Sequence, residues 1–414
     1  MKIKAFRGLR PAEKYASQVA SRPYDVLDSN EAKEEAGENP YSFLNVVKPE
    51  ITLPVGTDPH SQAVYDAGRD NFNKLVKDEI FFQDEGDQLY IYELTMNGHT
   101  QTGIVACAWI EDYLQDRIRK HELTHPDKET DRKNHIRTSM MNAEPVLFAY
   151  KSAKELDDIV SKVKVCEPEY DFVADDGISH KLWAIADNAL KNNIIQNFSK
   201  MQFTYVADGH HRSAAATLVG CDFRNENPEH TGSEEYNYFL VVYFPDNQLQ
   251  IQDYNRVIRD LNDHTPDSFI NEISKSFSVK KTGKLPYKPG KLHEMGMYLD
   301  GDWYSLTAAP GTYNDSDPIA VLDVTILSEF ILKPVLDIQD LRTDKRIEFV
   351  GGIRGLGELE RRVDSGEMEV AFAMYPVSMK QLMDIADNGL IMPPKVTWFE
   401  PKLRSGLIVH SLLD

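Results

Sequence analysis

Both helical and alternating patterns of apolar residues recur along the chain. Residues 60–77 repeat apolar side chains near helical spacing, which predicts an amphipathic helix. The apolar runs LYIYELT and GIVACAWI, separated by the turn-forming NGHTQT, predict a pair of strands. Because helix-type and strand-type segments are interspersed, we expect an α+β fold.

A stripe of less polar positions continues into a charged region. Leu114, Ile118, His121 and His125 follow one another at intervals of four, three and four residues. Side chains at this spacing share one face of a helix, so the pattern predicts a charged amphipathic helix that begins at Glu111.

The middle of the chain contains further elements of both types. We expect a second charged helix over residues 128–142, a strand at VLFAY, a helix that opens at KSAKELDDIV and a long helix around residues 180–199. The segment QFTYVADGHHRSAAATLVG then predicts a strand, a sharp Asp-Gly turn and an alanine-rich helix.

The length indicates more than one domain, because 414 residues exceed an ordinary single core. The polar run NENPEHTGSEEYN has the composition of a domain boundary. We therefore predict two domains, residues 1–230 and 231–414, of which the second opens with the strand NYFLVVYF and ends in a tail rich in proline and lysine.

Composition limits the partners. The 66 acidic and 46 basic residues give a net charge of −20, which disfavours DNA as a partner. No apolar run approaches the ~20 residues that span a bilayer, so no membrane partner is expected. Three dispersed cysteines suit a reducing compartment, and we expect a cytoplasmic protein. The sequence does not indicate an oligomeric state.

The stretch YVADGHHR is the strongest candidate for a functional site in the sequence. A strand, a glycine turn and a helix start expose backbone N–H groups to which an anion can bind. Asp208 offers a carboxylate, His210 and His211 offer imidazoles, and Arg212 offers a guanidinium that can grip phosphate. The alternative is an ordinary turn whose polar residues cap a surface helix.

The stretch KHELTHP contains the H-E-x-x-H pattern of zinc proteases, with His121 and His125 as ligands and Glu122 to activate water. Pro126 follows at once, and no third ligand is marked. A phosphate or substrate site is the competing interpretation, because Lys128 and Arg132 lie four residues apart and would share a helix face. The third interpretation is a pair of charged, solvent-exposed helices without a site.

Polar residues between prolines mark two further candidate segments. The tail MPPKVTWFEPKLRSG carries Lys395 and Lys402, either as a rigid basic lid over a phosphate-bearing ligand or as a surface tail. PYDV and NPYSF predict tight turns, and their side chains Tyr24, Asp25, Asn39 and Ser42 either line a pocket or only shape the turns.

Taken together, these motifs resemble the signature of a bacterial family of similar length, long labelled a domain of unknown function. The resemblance covers nearly the whole chain. It rests on PYDV at 23–26, NPYSFL at 39–44, HELT followed by Lys128 and Asp131-Arg132, EPVLFAY at 144–150, ADGHHR before a small-residue helix, and MPPKVTWFEPKLRSGL at 392–407.

More distantly, the DGHHR turn is similar to the phosphate-binding turn of the ParB and sulfiredoxin-like fold, which includes free serine kinases. That resemblance implies a ParB/sulfiredoxin-like N-terminal domain. It also implies Asp208 as the catalytic base and His210, His211 and Arg212 as phosphate holders, with Lys128 and Arg132 assisting. The family pattern further indicates substrate-site residues, namely His121, Glu122 and Thr124, and we take Glu50 in VKPE as the second catalytic carboxylate.

The resemblance therefore implies a phosphotransferase acting on a small hydroxylated metabolite, with free L-serine as the favoured acceptor. The donor is ADP, ATP or pyrophosphate, and Mg²⁺ is expected on the phosphates with few protein ligands. No residue is assigned as a dedicated metal ligand. Two alternatives remain open: a non-catalytic nucleotide-binding or partner-binding protein, and a zinc metallohydrolase that uses HELTH.

Overall fold

The computed structural model describes residues 1–413, and strands are distributed over that whole length. In chain order they are β1 (Ile3–Lys4), β2 (Leu9–Pro11), β3 (Phe81–Gln83), β4 (Leu89–Met96), β5 (His99–Trp109), β6 (Ile118–Arg119), β7 (Met141–Asn142), β8 (Val146–Tyr150), β9 (Tyr170–Val173), β10 (Ser179–Ile185), β11 (Thr204–Asp208), β12 (Tyr238–Pro245), β13 (Ile251–Gln252), β14 (Tyr254–Ile258), β15 (Phe277–Gly283), β16 (Glu294–Leu299), β17 (Asp302–Ala308), β18 (Ile347–Gly351), β19 (Val370–Ala373), β20 (Trp398–Phe399) and β21 (His410–Ser411).

Helices alternate with these strands, so the predicted α+β class is confirmed. The α-helices are α1 (Ala16–Val19), α2 (Ser29–Ala36), α3 (Leu44–Val47), α4 (Gln62–Lys77), α5 (Ile110–Leu114), α6 (Pro126–Ser139), α7 (Lys154–Val163), α8 (Asn188–Lys200), α9 (His210–Glu226), α10 (Pro266–Ile273), α11 (Asp323–Leu327), α12 (Leu356–Asp364) and α13 (Met379–Asp387). Short 3-10 helices span Glu13–Tyr15, Tyr24–Val26, Pro49–Thr52, Glu235–Asn237, Asp246–Gln248 and Gly352–Arg354, and a π-helical turn spans Ser328–Leu332.

The chain divides into two units. The first joins Met1–Leu249 to the segment that begins at Pro401, and the second spans Gln250–Glu400. This division differs from the predicted boundary at residue 230 in two places. Strand β12 belongs to the first unit because it pairs with β5 and β8, and the segment after Glu400 returns to the first unit, where β21 pairs with β7.

The first unit is built on a nine-stranded sheet in residues 1–413. Its strand order is β6-β11-β8-β12-β5-β4-β10-β9, and β1 pairs with β5. Strands β6 and β11 are parallel, and β8 runs antiparallel to β11. The end of β6, the end of β11 and the start of β8 therefore meet at one edge of the sheet. Every residue of β12 is buried, as expected for a central strand covered on both faces.

The sequence patterns identify several elements correctly. The helix predicted over residues 60–77 is α4, and the predicted strand pair is the hairpin β4–β5. Its turn consists of Asn97 and Gly98, both of which have positive φ angles. The predicted strand, Asp-Gly turn and helix are β11, Gly209 and α9.

The helix predicted from Glu111 through His125 is wrong. Helix α5 ends at Leu114, Ile118 begins β6, and the chain from Lys120 to His125 is neither helix nor strand. The stripe is not one buried face: Leu114 is 50% exposed, whereas Ile118 is fully buried. Asp116 has a positive φ angle of 55°, which ends the helical path, and pairing with β11 replaces it.

The long helix predicted around residues 180–199 is also wrong in its first part. Residues Ser179–Ile185 form β10, which pairs with β4 on one side and β9 on the other. Helix α8 begins only after Asp187, whose side chain accepts a hydrogen bond from the Leu190 N–H at 2.9 Å. Two flanking strands thus outweigh the local helical pattern.

The second unit contains a separate, fully antiparallel sheet of order β15-β17-β16-β19-β14-β18. Its core includes Val257, Trp303, Leu359 and Ala371, all fully buried. The glycine-rich stretch GGIRGLGELE forms the end of β18, a 3-10 turn and the start of α12.

Among residues 1–413, none of the helices combines the length and apolar character that a bilayer crossing requires.

A buried histidine ties α6 to α3. His135 is 3% exposed, and its Nε2 donates a hydrogen bond to the Val46 carbonyl oxygen at 3.0 Å. Burial, with a smaller contribution from Arg132, lowers the pKa of His135 to about 4. The imidazole is therefore neutral in the folded protein at neutral pH, and protonation opposes folding.

This histidine predicts a pH-dependent stability. Between about pH 6.5 and pH 4, the unfolded chain binds a proton at His135 more readily than the folded protein does. The free energy of unfolding therefore falls as pH decreases through this window, by about 2–3 kcal/mol from this residue. In urea unfolding at several pH values, His135→Gln should flatten the dependence, and the exposed His125→Gln should leave it unchanged. Equal slopes for all three proteins would contradict the assignment.

Candidate active site

The turn between β11 and α9 brings the predicted residues to the sheet edge. Asp208 ends β11, and Gly209 adopts the left-handed conformation with φ 98°. A Cβ atom at this position would lie 2.8 Å from Val146 Cγ1, so the close packing against β8 also requires glycine. Gly209, the N-cap residue of α9, has no side chain that could cap this helix N-terminus. The first N–H groups of α9 therefore remain a potential anion-binding site.

Two cations contact the Asp208 carboxylate. Arg212 Nη2 donates to Asp208 Oδ2 at 3.2 Å, and Lys402 Nζ lies 3.7 Å from the same oxygen. Burial acts to raise the pKa of Asp208, but Lys402 and Arg212 outweigh burial and hold the pKa at about 2. Asp208 is therefore ionised at neutral pH, although its side chain is only 30% exposed.

Arg212 lies beneath the turn, with 7% of its side chain exposed. Its Nη1 donates to the Pro145 carbonyl oxygen at 2.6 Å, and its Nη2 lies 4.0 Å from Asp25 Oδ2. Burial would lower the pKa of Arg212, but Asp25 and Asp208 raise it. Through these contacts, Arg212 holds Asp208 and the start of β8 in place.

A second buried guanidinium extends the same network. Arg132 donates to Asp131 at 2.8 Å, and its guanidinium stacks over the ring of Tyr24, 4.0 Å from the centroid. Its Nη1 lies 3.7 Å from Glu144 Oε2. Glu144 Oε1 in turn accepts hydrogen bonds from the Tyr24 N–H and the Ser405 hydroxyl, both at 3.0 Å. Arg132 therefore holds together separate segments of the first unit.

The histidines at this edge are neutral at neutral pH. Burial lowers the pKa of His121 to about 4 and, with Lys128 contributing, that of His211 to about 4. Burial and the neighbouring His121 lower the pKa of His210 well below its usual value. These side chains can form hydrogen bonds to an anion, but they do not supply positive charge.

The helix required by the H-E-x-x-H pattern is not formed. His121 is 1% exposed, whereas the side chain of His125 is 66% exposed and makes no capping hydrogen bond, although His125 is the N-cap residue of α6. The His125 backbone N–H donates to His211 Nε2 at 3.0 Å. HELTH therefore serves as a connection that packs on the turn, and the zincin geometry of the metallohydrolase alternative is absent from the described chain.

The other residues predicted from this stretch, Glu122, Thr124 and Lys128, lie within HELTH or just after it. Glu122 approaches the turn, with Oε2 3.9 Å from His210 Nδ1. Thr124 is half-buried and precedes His125, and Lys128 is exposed in the first turn of α6, where it contributes to lowering the pKa of His211.

The residues predicted near the N-terminus stand in other contacts. Glu50 accepts a hydrogen bond from the Ser29 hydroxyl at 2.8 Å, and its carboxylate lies 3.5 Å from Lys48 Nζ. Lys48 donates to the Leu27 carbonyl oxygen at 3.1 Å, so Glu50 is linked to the segment that carries Asp25. A catalytic role for Glu50 stays a prediction.

The NPYSF segment is fixed by its own hydrogen bonds. Asn39 Nδ2 donates to the Gln18 carbonyl oxygen at 2.7 Å, and its Oδ1 accepts from the Tyr41 N–H at 3.0 Å. The buried Ser42 hydroxyl lies 3.3 Å from that of Ser21. These contacts shape the loop, and the substrate-binding roles of Asn39 and Ser42 stay predictions.

The two lysines of the tail belong to different units. Lys402 lies in the first unit at the turn, whereas Lys395 lies in the second unit, where its carbonyl oxygen accepts from Arg256 at 2.9 Å. Arg404 is buried in the first unit with His180, Tyr92 and Asp176 as partners. The structure therefore joins Lys402 to the turn, while the role of Lys395 stays a prediction.

Two carboxylates contribute more than the motifs indicate. Asp25 faces Arg212, and Glu144 joins Arg132 to Tyr24 and Ser405. Glu144 precedes β8, which is antiparallel to β11, so it arrives at the same edge as Asp208. Knowledge that β8 pairs with β11 would have identified Glu144. In an antiparallel pair, an acidic residue just before one strand lies beside the end of the other strand.

Comparisons with solved structures found only distant likeness. Among them are free serine kinase in complex with AMP (10% identity, TM-score 0.34, covering 73% of this chain and 92% of that chain) and SbnI with C-terminal truncation from Staphylococcus aureus (11%, 0.39, 73% and 85%). Another is a conserved hypothetical protein from Pyrococcus furiosus (12%, 0.36, 74% and 95%). TM-scores below 0.5 support no conclusion about activity.

A comparison with curated proteins found no match. A family model does match, over residues 3–325, and its description is "Protein of unknown function (DUF1015)". That range includes the turn at Asp208 and most of the motifs on which the resemblance rests, so the membership predicted from them is confirmed. The chain belongs to the DUF1015 family.

Proposed function

We propose that this protein transfers a phosphoryl group from a nucleotide or pyrophosphate to the hydroxyl of a small metabolite, with free L-serine as the first acceptor to test. One observation carries the proposal. An ionised carboxylate, Asp208, stands between Lys402 and Arg212 at the N-terminus of α9, whose N-cap residue is a glycine. Phosphoryl transfer needs this combination of a positioned carboxylate and fixed positive charge.

The phosphate is held mainly by groups that carry positive charge or present N–H donors. The N-terminal N–H groups of α9 and the Lys402 ammonium provide the electrostatic attraction. His210 and His211, which are neutral, contribute hydrogen bonds. Lys128 is exposed in the first turn of α6 and meets the outer phosphates of a longer donor. Arg212 acts through Asp208 and Pro145, whose positions it fixes.

Asp208 orients the acceptor hydroxyl. A carboxylate whose pKa is about 2 is a weak base, so it does not remove the proton before attack. In a loose transition state the hydroxyl becomes acidic only as its bond to phosphorus forms. Asp208 then receives the proton late, while the phosphoryl group passes from the donor oxygen to the acceptor oxygen.

Oxygen ligands suitable for Mg²⁺ are present at the turn. Asp25 and Asp208 both face Arg212 Nη2, at 4.0 and 3.2 Å. Mg²⁺ binds carboxylate and phosphate oxygens and keeps several waters, so these two side chains would hold the ion together with the donor phosphates. Bound there, Mg²⁺ would neutralise phosphate charge.

The direct test combines donors with acceptors. The purified protein is incubated with Mg²⁺ and ADP, ATP or pyrophosphate, each with serine, threonine, homoserine or glycerol, and phosphorylated products are measured by mass spectrometry. Phosphoserine or another phosphorylated acceptor is the expected result. A nucleotide that raises the melting temperature while no pair yields product would instead favour the non-catalytic nucleotide-binding alternative.

Replacement of the central carboxylate should abolish turnover. Asp208→Asn keeps the shape of the side chain but removes the charge that orients the hydroxyl, so product formation should fall by about 10²–10⁴-fold. The matched control is Asp127→Asn, because Asp127 is 92% exposed at the start of α6. Thermal unfolding verifies that both variants fold. Full activity in Asp208→Asn would refute the proposed role.

Removal of the Lys402 ammonium should weaken the binding of the donor. Lys402→Gln removes a charge beside the phosphate site, and the Kd of the nucleotide, measured calorimetrically, should rise about tenfold, which corresponds to roughly 1.4 kcal/mol. Lys200→Gln is the control, since Lys200 is exposed at the end of α8. Equal Kd values for the two variants would place the phosphates elsewhere.

A further inference from the structure

Two histidines and a glutamate converge beside the turn. His121, Glu122 and His210 each offer one ligand atom, and these atoms lie within 4.8 Å of one another. Among residues 1–413, this is the one group of three or more histidine, cysteine or acidic side chains with such spacing. The two imidazole rings meet edge to face at 88°, with 4.4 Å between their centroids.

The fold itself creates this convergence. Strands β6 and β11 are parallel neighbours, with Tyr205 opposite Arg119. His121 follows the end of β6, and His210 follows the end of β11 after the Gly209 turn. Parallel strands end at the same edge, so residues just beyond both ends meet there. Backbone pairing therefore brings the segments that carry the three residues to the same place.

The burial of the two imidazoles is unusual without a ligand. His210 is 5% exposed, and its Nε2 is buried with no hydrogen-bond partner among the described residues. Buried polar atoms are paired in most proteins, so the unpaired Nε2 of this buried imidazole calls for an explanation.

A further contact resembles the usual surroundings of a metal-binding histidine. His121 forms a hydrogen bond with the backbone of Val206 on β11. Histidine ligands commonly have one ring nitrogen fixed in this way, which orients the ring toward the ion. Glu122, by contrast, has 38% of its side chain exposed, so the group is closed on the histidine side and open toward solvent.

We propose that His121, Glu122 and His210 form a binding site for one divalent transition-metal ion of the zinc class. Two imidazoles and one carboxylate suit Zn²⁺, Co²⁺ or Fe²⁺, whereas Mg²⁺ prefers an all-oxygen set. The 3.9 Å between His210 Nδ1 and Glu122 Oε2 needs only slight closure, because ligand atoms around a tetrahedral zinc ion are about 3.3 Å apart. The open side leaves a coordination position for water or an anion.

This site differs from the H-E-x-x-H interpretation in its ligands. His125 is exposed and belongs to the start of α6, so it is not a member of the group. His210 takes its place from a distant part of the sequence. The site shares His210 with the proposed phosphate site, but the binding of an ion can be measured without any substrate.

The test uses the full-length protein stripped of metal with a chelator and titrated with Co²⁺, whose visible absorption reports its coordination, and with Zn²⁺ by calorimetry. The unsubstituted protein should bind one ion per chain, and millimolar Mg²⁺ should not compete. Glu122→Gln and His210→Asn should each weaken binding by at least about 100-fold. His125→Ala should bind as the unsubstituted protein does.

Several outcomes would overturn the proposal: no saturable binding, equal binding by all variants, or a loss in His125→Ala as large as that in Glu122→Gln. Circular dichroism and melting temperature of the metal-free proteins verify folding. If His210→Asn does not fold, Glu122→Gln alone keeps the test decisive, because its side chain is partly exposed. Metal binding that persists while the donor and acceptor screen yields no product would defeat the proposed function and leave this inference standing.

Discussion

The site depends on a single buried cation. Arg212 is removed from water beneath the turn, and a buried guanidinium is tolerated only when its charge and its N–H groups are compensated. Asp208, Asp25 and the Pro145 carbonyl provide that compensation from three different segments. Loss of one partner from such an arrangement commonly costs about 3–5 kcal/mol. The position of Asp208 is thus a condition of folding as well as of chemistry.

The electrostatics of this edge contrast with those of the whole chain. The protein carries a net charge of −20, yet Asp208 is held between Lys402 and Arg212, and the histidines around it are neutral. Positive charge is therefore concentrated on a few groups at the turn, supplemented by the N-terminus of α9. This arrangement favours an anion at one place without making the surface generally attractive to polyanions.

The sequence pattern predicted the structure correctly where local residues determine it, as in β11, the Gly209 turn and α9. It failed over residues 115–125 and over residues 180–185, where a helical stripe competes with strand pairing that involves residues far away in the chain. The candidate site shows the same limit. Asp208 and its neighbours stand out in the sequence, but their meeting with Asp25, Lys402 and Glu144 depends on strand order, which periodicity does not encode.

The first unit is discontinuous in sequence, because Gln250–Glu400 is inserted between its sheet and the segment that carries Lys402. A ribosome that has already made β11 and α9 must synthesise this whole insertion before Lys402 exists. Throughout that interval the nascent turn has its carboxylate and its buried arginine but lacks its second cation. The chain therefore has an order of assembly in which the scaffold of the site comes early and its final charge arrives late.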